Sequence, residues 1–334
     1  MSALIHSDLP GLQLISKGKV RDIYSTSSPD HLLFVASDRI SAYDVILQNG
    51  IPDKGKLLTQ ISLFWFHKLQ PIIQHHVVTA DVDLMPPEVR PYKAQLDGRA
   101  MLVRKAKVVP LEGIVRGYLT GSAWAEYKKS GTVHGIRLPP GLTESSKLQT
   151  PLFTPSTKAE QGEHDENISP ERAAALIGQD LYDRVSSVAI QLYTTASEYA
   201  HSRGLILADT KFEFGLVSAS SPEEASLTLS SSPSLSSEVT TTIAPPATDN
   251  LILIDEALTP DSSRYWPLDG YAPGGPQPSF DKQYLRDWLT AVGFRKGLEG
   301  GKDGQRGWTM TEEVVEGTRE RYVEARDRLI GATS

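Results

Sequence analysis

One segment of the sequence alternates charged and apolar side chains in a way that suits phosphate chemistry. Residues 211–215 read KFEFG, so a β-strand would place Lys211 and Glu213 on one face and the phenylalanines on the other. Asp255 follows a second apolar run, and it approaches Glu213 if the two runs pair as strands. Two carboxylates beside a lysine suit a Mg²⁺–phosphate site. The alternative is a solvated strand face with a surface ion pair.

A glycine between two lysines near the N-terminus is a second candidate for phosphate binding. Lys17, Gly18 and Lys19 open the segment 17–24 (KGKVRDIY), where backbone N–H groups and lysine ammonium groups could meet phosphates. A surface turn has the same pattern and is the alternative. The segment is not a P-loop, because G-x-x-x-x-G-K-[ST] occurs nowhere in the chain. The late glycines at 301, 304 and 307 predict a flexible loop.

Three arginines lie beside small or turn-forming residues, where bidentate binding of carboxylates or phosphates is possible. Arg116 precedes Gly117 and the Gly-Ser pair at 121–122, Arg264 follows the Asp-Ser-Ser run at 261–263, and Arg286 follows the Asp-Lys pair at 281–282. Each arginine alone could equally form a surface ion pair.

Two further polar segments are candidates for ligand loops. Residues 37–44 (SDRISAYD), with Asp38, follow a predicted buried strand; the alternative there is a turn with capping side chains. His164, Asp165 and Glu166 resemble a metal cluster, but no histidine lies four residues after His164, so a polar loop is the better interpretation.

The elements that must position these residues can be predicted from apolar spacing. Residues 32–36 and 100–103 predict buried strands, and 57–69 predicts a helix that ends before Pro71. Ser169 and Pro170 predict a helix start, and an apolar stripe from residue 181 predicts a helix that ends near Gly204. Thr309 with Glu312 as a capping box predicts the start of a last helix.

Residues 218–250 differ from the rest of the chain. They are rich in Ser, Thr, Ala and Pro, they contain no Lys or Arg, and they lack apolar periodicity, so they predict a disordered loop. The segment separates two apolar runs, which predicts an insertion at the tip of a hairpin. The cost of closing a loop grows slowly with its length, so such an insertion is tolerated.

The composition sets the class of protein. The chain has 334 residues, 39% hydrophobic and 22% charged, which is typical of one large or two ordinary globular domains. Its net charge of -7, without a basic block, argues against binding to nucleic acid. It has no cysteine, which excludes disulfides and thiolate sites. With no membrane-spanning run and no signal pattern, we expect a cytoplasmic protein that does not bind membranes.

Taken together, the polar segments resemble the successive motifs of the SAICAR synthetase family, in the family's order, and the longer motifs resemble its fungal single-function form. The segments are 18–24 (GKVRDIY), 37–44 (SDRISAYD), 112–118 (EGIVRGY), 121–124 (GSAW), 157–168 (TKAEQGEHDENI), 209–215 (DTKFEFG) and 255–264 (DEALTPDSSR). They cover nearly the whole chain outside the Ser-rich insert, which is the main departure.

The resemblance implies an α+β fold. A smaller N-terminal antiparallel sheet domain resembling a kinase N-lobe would span residues 1–105, and a larger α+β domain with the substrate sites would span 106–334, with the insert 218–250 inside it. The implied reaction joins L-aspartate to the carboxylate of CAIR, the phosphorylated carboxyaminoimidazole ribotide, using ATP and Mg²⁺. We expect a monomer that acts on these small molecules.

The resemblance also implies roles for individual residues. Those expected to bind ATP are Gly18, Lys19, Arg21, Arg104, Lys105 and Val108. Those expected to bind CAIR, chiefly its phosphate, are Arg116, Ser122, Arg264, Lys282 and Arg286. Glu213 and Asp255 would hold Mg²⁺, Lys211 would support them, and Asp209 and Asp38 would lie near the reacting groups.

Two other functions share some of these features. A kinase-type phosphotransferase would also use a glycine loop, a lysine and metal carboxylates, but the chain lacks an H-R-D catalytic loop and D-F-G. A non-catalytic nucleotide-binding protein would bind ATP without turnover, which the presence of Lys19, Glu213 and Asp255 argues against. The implied mechanism passes through an acyl phosphate of CAIR, with direct in-line amide formation as the alternative.

Overall fold

The computed structural model describes residues 2–43, 45–158, 166–217, 250–280, 282–294 and 307–331. These residues form two five-stranded antiparallel sheets, with helices packed around them. Among them, no helix is both long and apolar enough to cross a membrane.

The first sheet contains most of the N-terminal strands, in the spatial order β1-β2-β3-β7-β6. Its strands are β1 (Leu14–Lys17), β2 (Arg21–Ser25), β3 (His31–Ala36), β6 (Val77–Thr79) and β7 (Ala100–Arg104). Two short strands, β4 (Ser41–Ala42) and β5 (Val45–Ile46), pair with each other, and helix α1 (Lys54–Leu69) follows them. A segment with the 3-10 turns Val82–Leu84 and Arg90–Tyr92 and the short helix α2 (Lys93–Leu96) leads into β7.

The second sheet is built around two long strands, β8 (Lys107–Tyr118) and β12 (Leu205–Leu216). β8 also pairs with β11 (Lys147–Thr157). The other edge of β12 pairs with two strands in succession, β14 (Ser263–Pro267) along its first half and β13 (Leu251–Ile254) along its second. The segment between β13 and β14 therefore lies against the middle of β12, next to Lys211, whose backbone N–H donates to the carbonyl of Ser262 at 3.0 Å.

The remaining elements cover this sheet and close its ends. They are α3 (Gly121–Ser130), β9 (Thr132–Val133), β10 (Ile136–Arg137), α4 (Pro170–Ile177), α5 (Gln179–Ser202), α6 (Gln283–Ala291) and α7 (Glu312–Ile330). The main core lies where α1 and α5 pack on the second sheet and includes Trp65, Leu192, Phe212 and Phe214. This burial explains why both phenylalanines of the KFEFG segment face one side.

The change from the first sheet to the second falls between Arg104 and Lys107, where residues 1–105 and 106–334 were expected to divide. A second core crosses that division, because Ile40 and Leu57 pack with Leu285 and Tyr322 of the C-terminal helices. The division into two domains stays a prediction.

Most of the predicted elements are confirmed, and one helix start is wrong. The strands at 32–36 and 100–103, the helix at 57–69 and the helices after Ser169 and up to Gly204 are present. The last helix begins at Glu312, and its N-cap is Thr311, two residues later than the predicted cap; the side chain of Thr311 accepts from the backbone N–H of Val314. The hydroxyl of Thr309 donates to Gln48 Oε1 at 2.8 Å, which holds Thr309 in the segment before the helix.

The predicted hairpin around the Ser-rich insert is confirmed at its base. Leu216 pairs with Leu251 in the ladder of β12 and β13, and the N–H of Val217 donates to the carbonyl of Asn250 at 2.9 Å. Residues 218–249, predicted to be a disordered loop, lie outside the described residues, as do Gly301 and Gly304 of the predicted glycine loop.

Candidate active site

A polar cavity of about 200 Å³ opens on the second sheet where β8, β12 and the segment before β14 meet the start of α6. Seven of the residues singled out from the sequence line it, although they come from five separate parts of the chain. They are Arg116, Ser122, Asp209, Lys211, Arg264, Lys282 and Arg286. All five residues expected to bind CAIR are therefore brought together.

Asp209 joins the two arginines on the sheet side of the cavity. Its Oδ2 atom accepts from Arg116 Nη1 at 3.3 Å and also pairs with Arg264 Nη1. Arg116 is buried and also donates to Thr154 and, at 3.3 Å, to the hydroxyl of Ser122. The arginines sit on the two strands that flank β12, because Asp209 on β12 is opposite Arg116 of β8 on one side and Arg264 of β14 on the other. This register fixes both guanidinium groups at the cavity wall.

Lys211 lies one pleat further along β12, between the cavity and the acidic residues. Its ammonium group contacts Glu112 Oε1 at 2.5 Å and Glu213 Oε1 at 3.7 Å. Burial acts to lower the pKa of Lys211, but the negative charges of Glu112 and Glu213 outweigh it and the pKa is raised. The lysine is therefore a fixed cation at neutral pH, unsuited to act as a base.

Glu213 and Asp255 converge as the alternation and the hairpin predict. Glu213 is opposite Ile254 in the ladder, and Asp255 follows directly, with a left-handed φ of 66° that ends the strand. Burial and the negative charge of Asp255 raise the pKa of Glu213. Burial also acts to raise the pKa of Asp255, but the cations of Arg21, Lys158 and Lys211 together outweigh it and the pKa is lowered.

Each of these carboxylates is paired with a cation from another element. Asp255 contacts Arg21 of β2, and Glu213 contacts Lys158 at the end of β11. Among the described residues, no group of three or more His, Cys, Asp or Glu forms a metal cage. Two carboxylates alone fit Mg²⁺ when phosphate oxygens and water supply the other ligands, as is usual for nucleotide-bound magnesium. The donor set of Glu213 and Asp255 is thus compatible with Mg²⁺ and poorly suited to zinc.

The glycine segment forms a tight turn between β1 and β2. The N–H of Gly18 donates to the carbonyl of Arg21 at 2.7 Å, and a Cβ at Gly18 would lie 2.9 Å from that oxygen, so only glycine fits without a shift. The guanidinium group of Arg39 holds the turn from behind, donating to the carbonyls of Gly18 at 3.0 Å and Lys19 at 3.3 Å. The side chain of Lys19 is exposed.

The residues expected at the adenine site lie at the connection between the sheets. Arg104 ends β7 and donates to the carbonyl of His75 at 2.8 Å, while Lys105 and Val108 are exposed. The chain segment around His75 also bridges to Leu253 of β13, so both sheets meet here. The structure thus places Arg104 near Leu253 of β13, while the N–H of Lys105 donates to the carbonyl of Asp30 and Val108 is opposite Gly215 of β12.

Asp38 is placed differently from the expected catalytic position. Its carboxylate is 1% exposed and accepts from Arg99 at 2.8 and 3.3 Å, from the N–H of Gly55 at 2.9 Å and from the N–H of Leu4 at 2.7 Å. These bonds tie the start of α1 to the first sheet. The geometry fits the alternative interpretation, a capping side chain, better than a catalytic role.

Four polar residues at the site were given no role from the sequence. Glu112 and Lys158 pair with the lysine and the glutamate of β12, Asp261 lines the cavity, and Lys54 pairs with Asp261. Glu112, Lys158 and Asp261 lie inside segments that resemble the family's motifs, and this position could have singled them out. Lys54 had no such signal, since a lysine at the start of a helix is ordinarily exposed. The expected His164–Asp165 loop, Asp44 and Asp281 lie outside the described residues.

Comparison with known proteins shows which family the chain resembles. The family described as SAICAR synthetase matches residues 14–223 and 245–299. The phosphoribosylaminoimidazole-succinocarboxamide synthase of Pichia angusta is 51% identical over 328 residues, or 96% of each chain. The same-named protein of Syntrophotalea carbinolica is 48% identical over 328 residues, or 98% of each chain.

Two solved structures extend the comparison to the fold. The SAICAR synthase of Saccharomyces cerevisiae, solved as a complex with SAICAR, is 45% identical, has a TM-score of 0.80 and matches over 99% of both chains. A type-2 SAICAR synthetase solved with ADP is only 20% identical and has a TM-score of 0.63 over 96% of this chain, so it shows the shared fold alone. With relatives about half identical over nearly the whole length, the chain belongs to the SAICAR synthetase family, a family of ligases of purine biosynthesis.

Proposed function

We propose that this protein joins L-aspartate to the carboxylate of CAIR, giving SAICAR, ADP and phosphate. The observation that carries the proposal is the position of Lys211. It lies on one strand between a cation-lined cavity, which suits an anionic ribotide, and the Glu213–Asp255 pair, which suits magnesium and a nucleotide. Two anionic substrates can then meet at a single fixed cation.

The charges of the cavity support CAIR as its ligand. Five cationic side chains line it against two acidic ones, so the wall has a net positive charge of three. CAIR carries a phosphate and a carboxylate, and the paired guanidinium groups of Arg116 and Arg264 suit such oxyanions. The relative from Saccharomyces cerevisiae was solved with the product SAICAR, which supports the same class of ligand here.

The nucleotide is assigned to the space between the two sheets. Gly18, Lys19 and Arg21 would cover its phosphates from the first sheet, and Arg104, Lys105 and Val108 would contact its base. The type-2 relative solved with ADP supports a nucleotide in this fold. Mg²⁺ held by Glu213 and Asp255 would neutralise phosphate charge as the γ-phosphoryl group is transferred.

The chemistry needs two steps because a free carboxylate is a poor acyl donor. First, a carboxylate oxygen of CAIR attacks the γ-phosphorus of ATP, the bond to the β-γ bridging oxygen breaks, and ADP leaves. Then the amine of aspartate attacks the acyl carbon, phosphate leaves, and the amine loses a proton to give the amide. Lys211 would stabilise the anionic oxygens in both steps without covalent bonding.

An omission assay tests the reaction. Purified protein is supplied with CAIR, aspartate and MgATP, each is left out in turn, and ADP and SAICAR are both measured. We expect SAICAR only with all three, and one ADP for each SAICAR. Sustained ADP release without aspartate would favour a phosphotransferase, and ATP binding without any turnover would favour a non-catalytic protein.

Isotope transfer tests the acyl phosphate. CAIR labelled with ¹⁸O in its carboxylate should transfer one labelled oxygen to the phosphate that is released, since that oxygen becomes the bridge to phosphorus. Mass spectrometry of the phosphate measures the transfer. Unlabelled phosphate would rule out attack of the carboxylate on ATP and favour direct amide formation.

A further inference from the structure

The cavity contains one acidic side chain that should weaken the binding of an anionic substrate. Asp261 lies in the segment between β13 and β14, lines the cavity, and its side chain is 2% exposed. Asp209 pairs with the arginines Arg116 and Arg264, whereas Asp261 pairs with lysines. A carboxylate here repels a phosphate and competes with it for nearby cations. A nearby cation must therefore neutralise Asp261 if the cavity is to bind an anion well.

Lys54 supplies that charge from behind the cavity wall. Its ammonium group lies 2.7 Å from Asp261 Oδ2, and its side chain is fully buried at the start of α1. The hydroxyl of Tyr322, from α7, donates to Asp261 Oδ1 at 2.6 Å, and Lys282 Nζ is 3.1 Å from Oδ2. A single carboxylate thus holds two lysines and one tyrosine from three helical segments.

The balance of charge within this group decides what Lys282 can do. With Lys54 present, Asp261 is neutralised from the buried side, and the group of three charges keeps one positive charge at the cavity. Without Lys54, Asp261 and Lys282 would cancel each other, and Lys282 would be held to the carboxylate. Burial reduces solvent screening, so this difference is felt strongly by an anion in the cavity.

We infer that Lys54 is a positioning residue for the phosphorylated substrate, acting through Asp261 to keep Lys282 available to the phosphate. The inference rests on the proposed function for the identity of the substrate. It adds a residue that cannot itself reach the substrate, because its side chain is fully buried. Its role is to set the net charge of the cavity and the direction of Lys282.

Lys54 and Asp261 carry opposite charges, so removing each one should change the KM for CAIR in a different direction. Lys54→Met should raise the KM for CAIR by about tenfold or more, with the KM values for MgATP and aspartate changed less than about twofold. Asp261→Asn should leave the KM for CAIR unchanged or lower it. The double variant Lys54→Met/Asp261→Asn should return to within about threefold of the parent. A purely structural pair would instead shift all KM values, and both single variants in the same direction.

Lys56→Met is the matched control, since Lys56 is on the same helix but packs near Gly98. It should leave every KM unchanged. If Lys54→Met does not fold, as judged by thermal unfolding, the double variant decides the question, because it leaves no buried charge of either lysine or aspartate unpaired. A KM for CAIR that is ten times the parent value in the double variant would overturn the inference.

A binding measurement separates this inference from the proposed function. Ribose 5-phosphate is titrated calorimetrically against the protein without ATP, so no turnover is needed. We expect Lys54→Met to weaken its binding by about tenfold and the double variant to restore it. If the omission assay fails but this pattern holds, only the reaction is wrong. Equal affinities of the parent and Lys54→Met would overturn the role of Lys54.

Discussion

At the scale of single residues, the site is a set of buried charges that hold one another. Arg39 pairs with Asp22, Arg99 with Asp38, and each holds a backbone segment that the site needs. A buried charge without a partner is strongly unfavourable, so such pairs fix geometry more reliably than exposed ones. We therefore expect the residues that stand behind the ligand-facing groups to matter as much as those groups.

The support of the glycine turn by Arg39 can be tested with a conservative variant. Arg39→Lys keeps the charge but cannot reach Gly18, Lys19 and Asp22 at once, because an ammonium group lacks the planar fork of donors. We expect the KM for MgATP to rise by about tenfold and the KM for CAIR to change less. The control Arg90→Lys, on an exposed 3-10 turn, should change neither. Equal effects on both substrates would indicate a general loss of structure.

His76 should make the stability of the protein depend on pH. It is 2% exposed, its ring packs edge-on against Phe34 at 5.5 Å, and burial lowers its pKa to about 3. The unfolded chain binds this proton below about pH 6.5, so between about pH 3 and 6.5 the unfolded state binds more protons. The free energy of unfolding should therefore fall as the pH falls, by about 1.4 kcal/mol per unit from this residue.

Urea unfolding between pH 7 and 4.5 measures this slope. Burial also lowers the pKa of His75, to about 4, so His75 should contribute in the same direction. His76→Phe should reduce the slope by about one proton while keeping the apolar contacts. An unchanged slope in His76→Phe would show that the neutral, buried state of His76 is not the source.

At the scale of elements, β12 does most of the positioning. It carries Asp209, Lys211 and Glu213 on alternate residues, pairs with three other strands, and so aligns the cavity with the carboxylate pair. The hairpin of β12 and β13 is complete at its base, with Leu216 opposite Leu251. Nothing beyond that base is required to bring Asp255 to Glu213.

The insert can therefore be removed as a test of this view. Replacing residues 218–249 with Asn-Gly joins Val217 to Asn250, which already share a backbone hydrogen bond, through a two-residue turn suited to a hairpin. We expect kcat and all KM values to stay within about twofold, since loop length contributes little to closure. Loss of MgATP turnover in a variant that still folds would show that the insert takes part in the site.

At the scale of the whole molecule, the two sheets are joined at the nucleotide side by charge. Arg21 of the first sheet pairs with Asp255 at the end of β13 in the second, and the cavity that we propose binds CAIR lies on the second sheet beside the start of α6. The two substrates should therefore stabilise the protein in different ways. A ligand that binds only the folded state raises the unfolding free energy by about 2.7 kcal/mol at one hundred times its Kd.

Asp255→Asn tests this separation. The variant should fold, should lose MgATP-dependent turnover, and should lose the rise in Tm that MgATP gives the parent, because it lacks one of the two carboxylates proposed to hold Mg²⁺. The rise in Tm caused by ribose 5-phosphate should stay the same. Near-normal turnover of MgATP by Asp255→Asn would refute its role as a metal ligand.

The sequence alone determined several of the strands and helices and the chemical types of the site. The alternation of Lys211 and Glu213, the apolar runs and the caps are local signals. They involve residues that are close in the sequence, so they can be recognised without knowing the fold. The start of the last helix was misplaced: Thr311 rather than Thr309 is the cap, and the hydroxyl of Thr309 donates to Gln48, which is distant in sequence. The choice between two threonines two residues apart cannot be read from spacing.

Only the tertiary structure decided which polar residues work together and which do not. Asp38 belongs to a pattern that suggested a ligand loop, yet its carboxylate is used up by Arg99 and two backbone N–H groups. Lys54 had no pattern at all, yet it stands behind the cavity wall against Asp261, 207 positions away. The physical reason is that a buried charge without a partner is strongly unfavourable, and the tertiary packing determines which residue lies close enough to pair with it.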